Sequence, residues 1–136
     1  MIHHGETEAR SRLLHEPLSQ QVIGAPIEVH RTLGPGLLES AYEECLCHEL
    51  HFRGLAFKRQ VELPVHYKGV SLDCGYKLDI VVKDQIILEL KCVEHLLPVH
   101  EAQLLTYLKL TGKRVGFLLN FNVATLARGG IVRKVL

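Results

Sequence analysis

The chain has 136 residues, 47% of them hydrophobic and 23% charged, proportions that suit one soluble globular domain. They exclude a disordered tail, a collagen-like chain and a highly charged coiled coil, and no apolar run approaches the roughly 20 residues that span a bilayer. Sixteen Lys and Arg against fifteen Asp and Glu leave a net charge of +1, so nucleic-acid binding would have to come from a local patch.

Met1-Ile2-His3-His4-Gly5-Glu6 runs into polar residues without the apolar core of a secretory signal, so the expected location is cytoplasmic. Cys45, Cys47, Cys74 and Cys92 are then expected as reduced thiols, on small buried or half-buried side chains. Their spacing matches neither a zinc ribbon nor a redox Cys-x-x-Cys. The nine histidines are scattered, with no His-x-x-x-His pattern.

Residues 1–17 read as a loose leader and residues 18–136 as a single domain. From Leu18 the apolar positions Val22, Ile23, Ile27 and Leu33 predict a helix, with Ser19 near its start and a kink or break at Pro26. Gly34-Pro35-Gly36 stops it. A second helix is predicted from about Leu37 to Arg53, on Leu38, Tyr42, Cys45, Leu46, Glu49 and Phe52, with Gly54 ending it. Strands follow at Ala56 to Leu63, Val65 to Tyr67, and Val70 to Leu72 across a Lys68-Gly69 turn. Two stronger strands are Tyr76 to Val82 and Ile86 to Cys92. Pro98 opens a third helix that Gly112 closes, and Val115 to Asn120 and Ile131 to Val135 are the last strands. The order is that of an α/β domain, one mixed sheet flanked by helices.

The stretch Lys77 to Lys91 carries the chemistry. If its turn centres on Asp84, residues whose numbers sum to 168 face each other: Asp79 and Glu89, Lys77 and Lys91, Val81 and Ile87. Alternation puts those six on one face, and Leu78, Ile80, Val82, Ile86, Leu88 and Leu90 on the other, an aliphatic core face. Opposed residues have Cβ atoms roughly 4.5–5.5 Å apart, and opposed like charges destabilise a sheet. Asp79 and Glu89 therefore need a compensating charge. A divalent cation between two carboxylates supplies it, with Lys91 on the same face to orient or deprotonate water or to offset phosphate charge. A surface ion network of Asp79 and Glu89 with Lys77 and Lys91 accounts for the same residues, and on pattern alone both readings stand.

Asp79 followed by Glu89-Leu90-Lys91 resembles the Asp…(Asp/Glu)-x-Lys signature of the PD-(D/E)XK nuclease superfamily, with Leu78 where the signature has proline. Gly36-Leu37-Leu38-Glu39-Ser40-Ala41-Tyr42 spells Gly-x-x-Glu-x-x-Tyr. With Ile27-Glu28-Val29-His30-Arg31, Leu97-Pro98-Val99-His100 and Asn120-Phe121-Asn122, it resembles the GxxExxY family, a branch of that superfamily. Gln103-Leu104-Leu105-Thr106-Tyr107 resembles the Gln-x-x-x-Tyr element of the RecB-like branch, and residues four apart share a helix face.

The resemblance implies a restriction-endonuclease-like core and a Mg²⁺- or Mn²⁺-dependent nuclease, acting on nucleic acid and on DNA in preference to RNA. It implies Glu39, Asp79, Glu89 and Lys91 as catalytic. Asp79, Glu89 and Glu39 would hold the metal, with the Leu90 carbonyl assisting and His30 as a candidate ligand. Gln103, Tyr107 and Tyr42 would contact substrate, although core roles suit both tyrosines. The four cysteines do not reproduce the spacing of the iron–sulfur cluster found in some RecB-like enzymes, so none is expected. Lys58, Arg59, Lys77, Lys109, Lys113 and Arg114 are available for phosphates. With few aromatics and no sequence-reading motif, weak sequence preference is expected. The small size suggests a homodimer or partner protein, and no membrane. Two other readings stay open: a non-catalytic nucleic-acid-binding or protein-interaction module on the same scaffold, and a hydrolase of small phosphate esters.

Overall fold

The computed structural model describes residues 4–136, with side chains from residue 16. Helix α1 (His4–Leu33) and helix α2 (Glu39–Phe52) lead into strands β1 (Phe57–Glu62), β2 (Val65–Tyr67), β3 (Val70–Leu72), β4 (Lys77–Val82) and β5 (Ile86–Lys91). Helix α3 (Pro98–Thr111) then crosses to β6 (Val115–Asn120), and β7 (Ile131–Val135) closes the chain. Five strands form one sheet in the order β1-β4-β5-β6-β7, while β2 and β3 pair only with each other. Among the neighbours in the large sheet β5 and β6 are parallel, as the α3 crossover requires, and the other pairs are antiparallel. This is the mixed α/β architecture of a restriction-endonuclease-like fold.

Every predicted strand and helix is present, with two differences in the first helix. It begins at His4, within the stretch read as a loose leader, of which residues 1–3 lie outside the described residues. The Glu, Ala, Arg and Leu of this stretch are strong helix formers even without an apolar stripe. The helix also runs without a break through Pro26, where a kink or break was expected. Proline removes one i→i−4 hydrogen bond there, a cost of about 3 kcal/mol. Pro26 is itself buried, and burial of Val22, Ala25 and Val29 against the sheet offsets the loss.

Both faces of the sheet are core. On one side α1 and α2 cover Ile80, Val82, Ile86, Leu88, Leu90, Phe117 and Leu119. On the other, Leu104, Tyr107 and Leu108 of α3 cover Val81, Ile87 and Leu118. Thus Val81 and Ile87, grouped in the sequence with the charged face, are buried under α3. Leu78 joins this second cluster and not the first, so the alternation along β4 changes at Asp79. The ladder is interrupted there on both sides. Arg59↔Ile80 and Val61↔Leu78 pair, but Gln60, facing Asp79 between them, has φ 52° and leaves the ladder. Gly116 lets α3 approach β6 closely, since a Cβ there would meet Leu104 Cδ1 at 2.8 Å.

Candidate active site

The β4–β5 register is the one the turn predicts. Val81 pairs with Ile87 and Val82 with Ile86 around a turn in which Lys83 and Asp84 have positive φ. Lys113 Nζ donates to Asp84 Oδ1 at 2.9 Å and fixes that end. At the other end the ladder stops after Ile80↔Leu88. Side chains take over from there: the Asp79 N–H donates to Glu89 Oε1 at 3.1 Å, and the Leu90 N–H donates to Asp79 Oδ2 at 2.8 Å. Asp79 and Glu89 are therefore adjacent, as expected, whereas Lys77 and Lys91 do not pair in the ladder.

Glu89 is 5% exposed on a strand whose other residues are apolar up to Lys91. Burial pushes its carboxyl up from 4.5 to about 8, the Asp79 charge adds to that, and the Asp79 N–H and Lys91 partly oppose it. Asp79 is half-buried and also raised, by burial first, against the lowering effect of the Leu90 N–H bond. Two oxygens, one on each carboxylate, remain outside these backbone bonds. Lys91 is half-buried, makes no ion pair among the described residues, and its charge acts on Glu39, Asp79 and Glu89 together.

Glu39 opens α2, where the free backbone N–H groups of the first turn favour an acidic residue. Its carboxyl is raised by partial burial and by the Asp79 charge, which puts it at the edge of the same electrostatic site. Gly36 has φ 101°, a conformation open to glycine, and turns the chain into the helix. Tyr42 holds that turn shut: its hydroxyl donates to the Gly34 carbonyl and accepts from the Leu37 N–H at 3.2 Å. Its ring is fully buried and stacks on Phe121 with centroids 4.4 Å apart. Tyr42, carried over as substrate-binding, has no exposed surface with which to touch one. Its place in the Gly-x-x-Glu-x-x-Tyr motif is explained by the loop that sets Glu39.

His30 is held by a backbone carbonyl. It is 3% exposed, and its Nε2 lies 3.1 Å from the Phe121 carbonyl oxygen. Among the described residues no three His, Cys, Asp or Glu side chains converge to hold a metal ion. The donors brought together are thus the pair Asp79 and Glu89. This is a hard-oxygen set that fits Mg²⁺ or Mn²⁺, with water and substrate oxygens completing the shell. Of the four cysteines, all free thiols, Cys74 is exposed against expectation, because it follows β3 outside the large sheet.

On α3, Tyr107 is 6% exposed, and its hydroxyl is pushed up to about 12 by burial and by the charges of Glu89 and Asp79. It lies within electrostatic reach of the carboxylates, and half-buried Gln103 stands one turn earlier. Some of the cations considered for phosphate contact are already engaged. Arg59 bridges Glu43 and Glu44, and Lys113 holds Asp84. Lys58, Lys77 and Lys109 are exposed.

One positioning residue gave no sequence signal beyond its motif. Asn120, 2% exposed, sits beside Lys91 in the β5–β6 register. Its Nδ2 donates to the Val93 carbonyl at 2.9 Å, and its Oδ1 accepts from the N–H groups of Val93 at 3.1 Å and Asn122 at 3.2 Å. With the Phe121 N–H donating to the Lys91 carbonyl at 2.9 Å, it carries the pairing past the end of β5 and fixes the backbone around Lys91.

The mixed sheet thus carries an acidic pair where two central strands part, a lysine two residues on and, within electrostatic reach, the helix-borne Glu39. Residues 16–134 match the family model of the PD-(D/E)XK nuclease superfamily, and the chain belongs to that superfamily. No curated protein and no solved structure matches it.

Proposed function

We propose that the protein is a Mg²⁺- or Mn²⁺-dependent nuclease of the GxxExxY, RecB-like branch that hydrolyses phosphodiester bonds, with DNA favoured over RNA. The observation that carries the reading is the Asp79–Glu89 pair, buried at Glu89 and half-buried at Asp79, two carboxyl groups held together by their own strands with Lys91 alongside. Asp79, Glu89 and the Leu90 carbonyl would hold the cation, and Glu39 would complete the site from α2. When bound, the cation supplies Lewis-acid polarisation of the scissile phosphate and a lowered pKa for the attacking water. Lys91 orients that water or offsets the charge that develops on the phosphate. Gln103 contacts the nucleic-acid strand from α3, and exposed Lys58, Lys77 and Lys109 serve backbone phosphates with little sequence preference. A cytoplasmic location is part of this reading; among the described residues no helix is long and apolar enough to cross a membrane. Assembly as a homodimer or with a partner protein would supply the surface that a chain of this size lacks.

The second reading, a non-catalytic module, draws on the carboxylates being partly satisfied by backbone N–H groups. Labelled single-stranded, duplex and branched DNA and RNA, incubated with Mg²⁺ or Mn²⁺, separate the two. Cleavage that stops with EDTA and in Lys91→Ala supports the nuclease. Tight binding without cleavage on any substrate supports the module.

A further inference from the structure

The segment between β1 and β4 leaves the large sheet at the end where Asp79, Glu89 and Lys91 lie. It is anchored by the Leu63 N–H donating to the Tyr76 carbonyl at 2.9 Å, and beyond that β2 and β3 form an isolated two-stranded sheet. Such a hairpin is marginal in water by itself. Yet it turns large apolar side chains outward: Tyr67 is 60% exposed, Val70 54% and Leu72 42%, with Tyr76 at 45% at its base. The other two tyrosines of the chain, Tyr42 and Tyr107, are buried.

The chemistry of this surface is specific. Lys68 Nζ stands 5.4 Å from the centroid of the Tyr67 ring, so an exposed aromatic face is paired with a cation. Tyr76 meets Tyr107 edge to face with centroids 6.2 Å apart, and Tyr107 in turn feels the charges of Glu89 and Asp79. Exposed Lys77 follows Tyr76 directly. Aromatic faces beside ammonium groups, running toward a carboxylate pair, match the alternation of bases and phosphates along a single strand. Stacking of this kind tolerates any sequence, because every base has a π-face.

We propose that the β2–β3 hairpin is a stacking arm that takes bases of a single nucleic-acid strand on Tyr67 and Tyr76 and leads its backbone to the Asp79–Glu89 site. This rests on the nuclease reading for what happens at the site, but not for the binding itself. The test is anisotropy of a short labelled oligothymidine and of its ribonucleotide counterpart, in EDTA so that nothing is cut. The proteins compared are the wild type, Tyr67→Ala, Tyr76→Ala and the matching Phe variants, with thermal melts to confirm folding.

Each Ala variant is expected to bind single strands about tenfold or more weakly. The Phe variants should bind as the wild type does, because the ring is kept. A wild type that binds no single strand, or Ala variants that bind as it does, overturns the arm. So does unchanged binding accompanied by a shift from dimer to monomer, which would make the hairpin a self-association surface. Cleavage with added Mg²⁺ is measured on the same set. Cleavage with an unaltered KM in Tyr67→Ala overturns the arm and leaves the nuclease. Weakened binding in the Ala variants, with no cleavage by any protein, keeps the arm and overturns the nuclease.

Discussion

Asp79 and Glu89 each accept a backbone N–H from the other's strand, Glu89 Oε1 from Asp79 at 3.1 Å and Asp79 Oδ2 from Leu90 at 2.8 Å. The two carboxylates thus replace the carbonyls that would have continued the ladder past Ile80↔Leu88. Two like charges facing one another would ordinarily destabilise a sheet. Here each is held by a hydrogen bond to the opposing backbone, and burial favours a proton on Glu89 in place of a second charge. The cross-strand exchange anchors one oxygen of each carboxyl group, and the two carboxyl groups also hydrogen-bond each other.

Lys91→Ala should abolish most cleavage while leaving the fold and nucleic-acid binding intact. Its ammonium is half-buried and joins no ion pair among the described residues, so its removal breaks none of the ion pairs described. General acid–base groups contribute about 10²–10⁴-fold, and a loss of that size in kcat with an unchanged KM is expected. Single-turnover cleavage with a thermal melt alongside checks it. A variant that cuts at the wild-type rate would remove Lys91 from the chemistry.

Tyr42→Phe should cost about 1 kcal/mol of stability, because the ring keeps its stack on Phe121 while the Gly34 carbonyl and Leu37 N–H lose their partner. Cleavage should fall further than that loss explains, through a loosened turn ahead of Glu39. Urea unfolding and kcat on the same preparation separate the two effects. Equal losses in Tyr42→Phe and in a distant variant of matched stability would make Tyr42 a core residue only.

Much of this was legible in the sequence because period and turn chemistry agreed. The positive-φ turn at Lys83-Asp84 fixed the register that brings Asp79 to Glu89, and Gly112, with φ 73°, closes α3 where its residue type says it should. What could not be read was set by tertiary context. Val81 and Ile87 look like part of a charged face until α3 is laid over them. The reversal at Leu78 falls beside Gln60, a residue on another strand with an unusual φ. Arg59 and Lys113 read as free cations because their carboxylate partners lie 15 or more positions away in sequence. The part played by Tyr42 needed the folded loop, since a motif marks a position without saying whether it meets substrate or backbone.

Asn120→Ala tests whether the clamp on the Lys91 backbone matters to function. Three hydrogen bonds are lost and Val93 is left with unpaired groups, a cost of about 1–3 kcal/mol. Asn120→Asp keeps the acceptor for the Val93 and Asn122 N–H groups but loses the donor to the Val93 carbonyl. Cleavage is expected to fall in the order wild type, Asp, Ala, with kcat affected and KM unchanged. A change confined to the melting temperature would make Asn120 a structural residue.

Glu89 makes the stability of the metal-free protein depend on pH. Its carboxyl is pushed from 4.5 to about 8, so between those values the folded chain holds a proton that the unfolded chain has released. Stability from this source is present below the unfolded value of about 4.5 and is lost as pH rises through about 8. In EDTA the melting temperature should therefore fall across that window. Glu89→Gln, which carries no charge to bury, should flatten the fall and melt above the wild type at alkaline pH. Added Mg²⁺ should reverse the order, because the ionised pair then has its counter-charge and the variant has lost a ligand. Mg²⁺ affinity by calorimetry should rise with pH and level off above about 8, as the site ceases to release a proton on binding. Parallel melting curves for wild type and Glu89→Gln in EDTA would show that Glu89 does not carry a buried proton, and would remove the electrostatic case for a cation between it and Asp79.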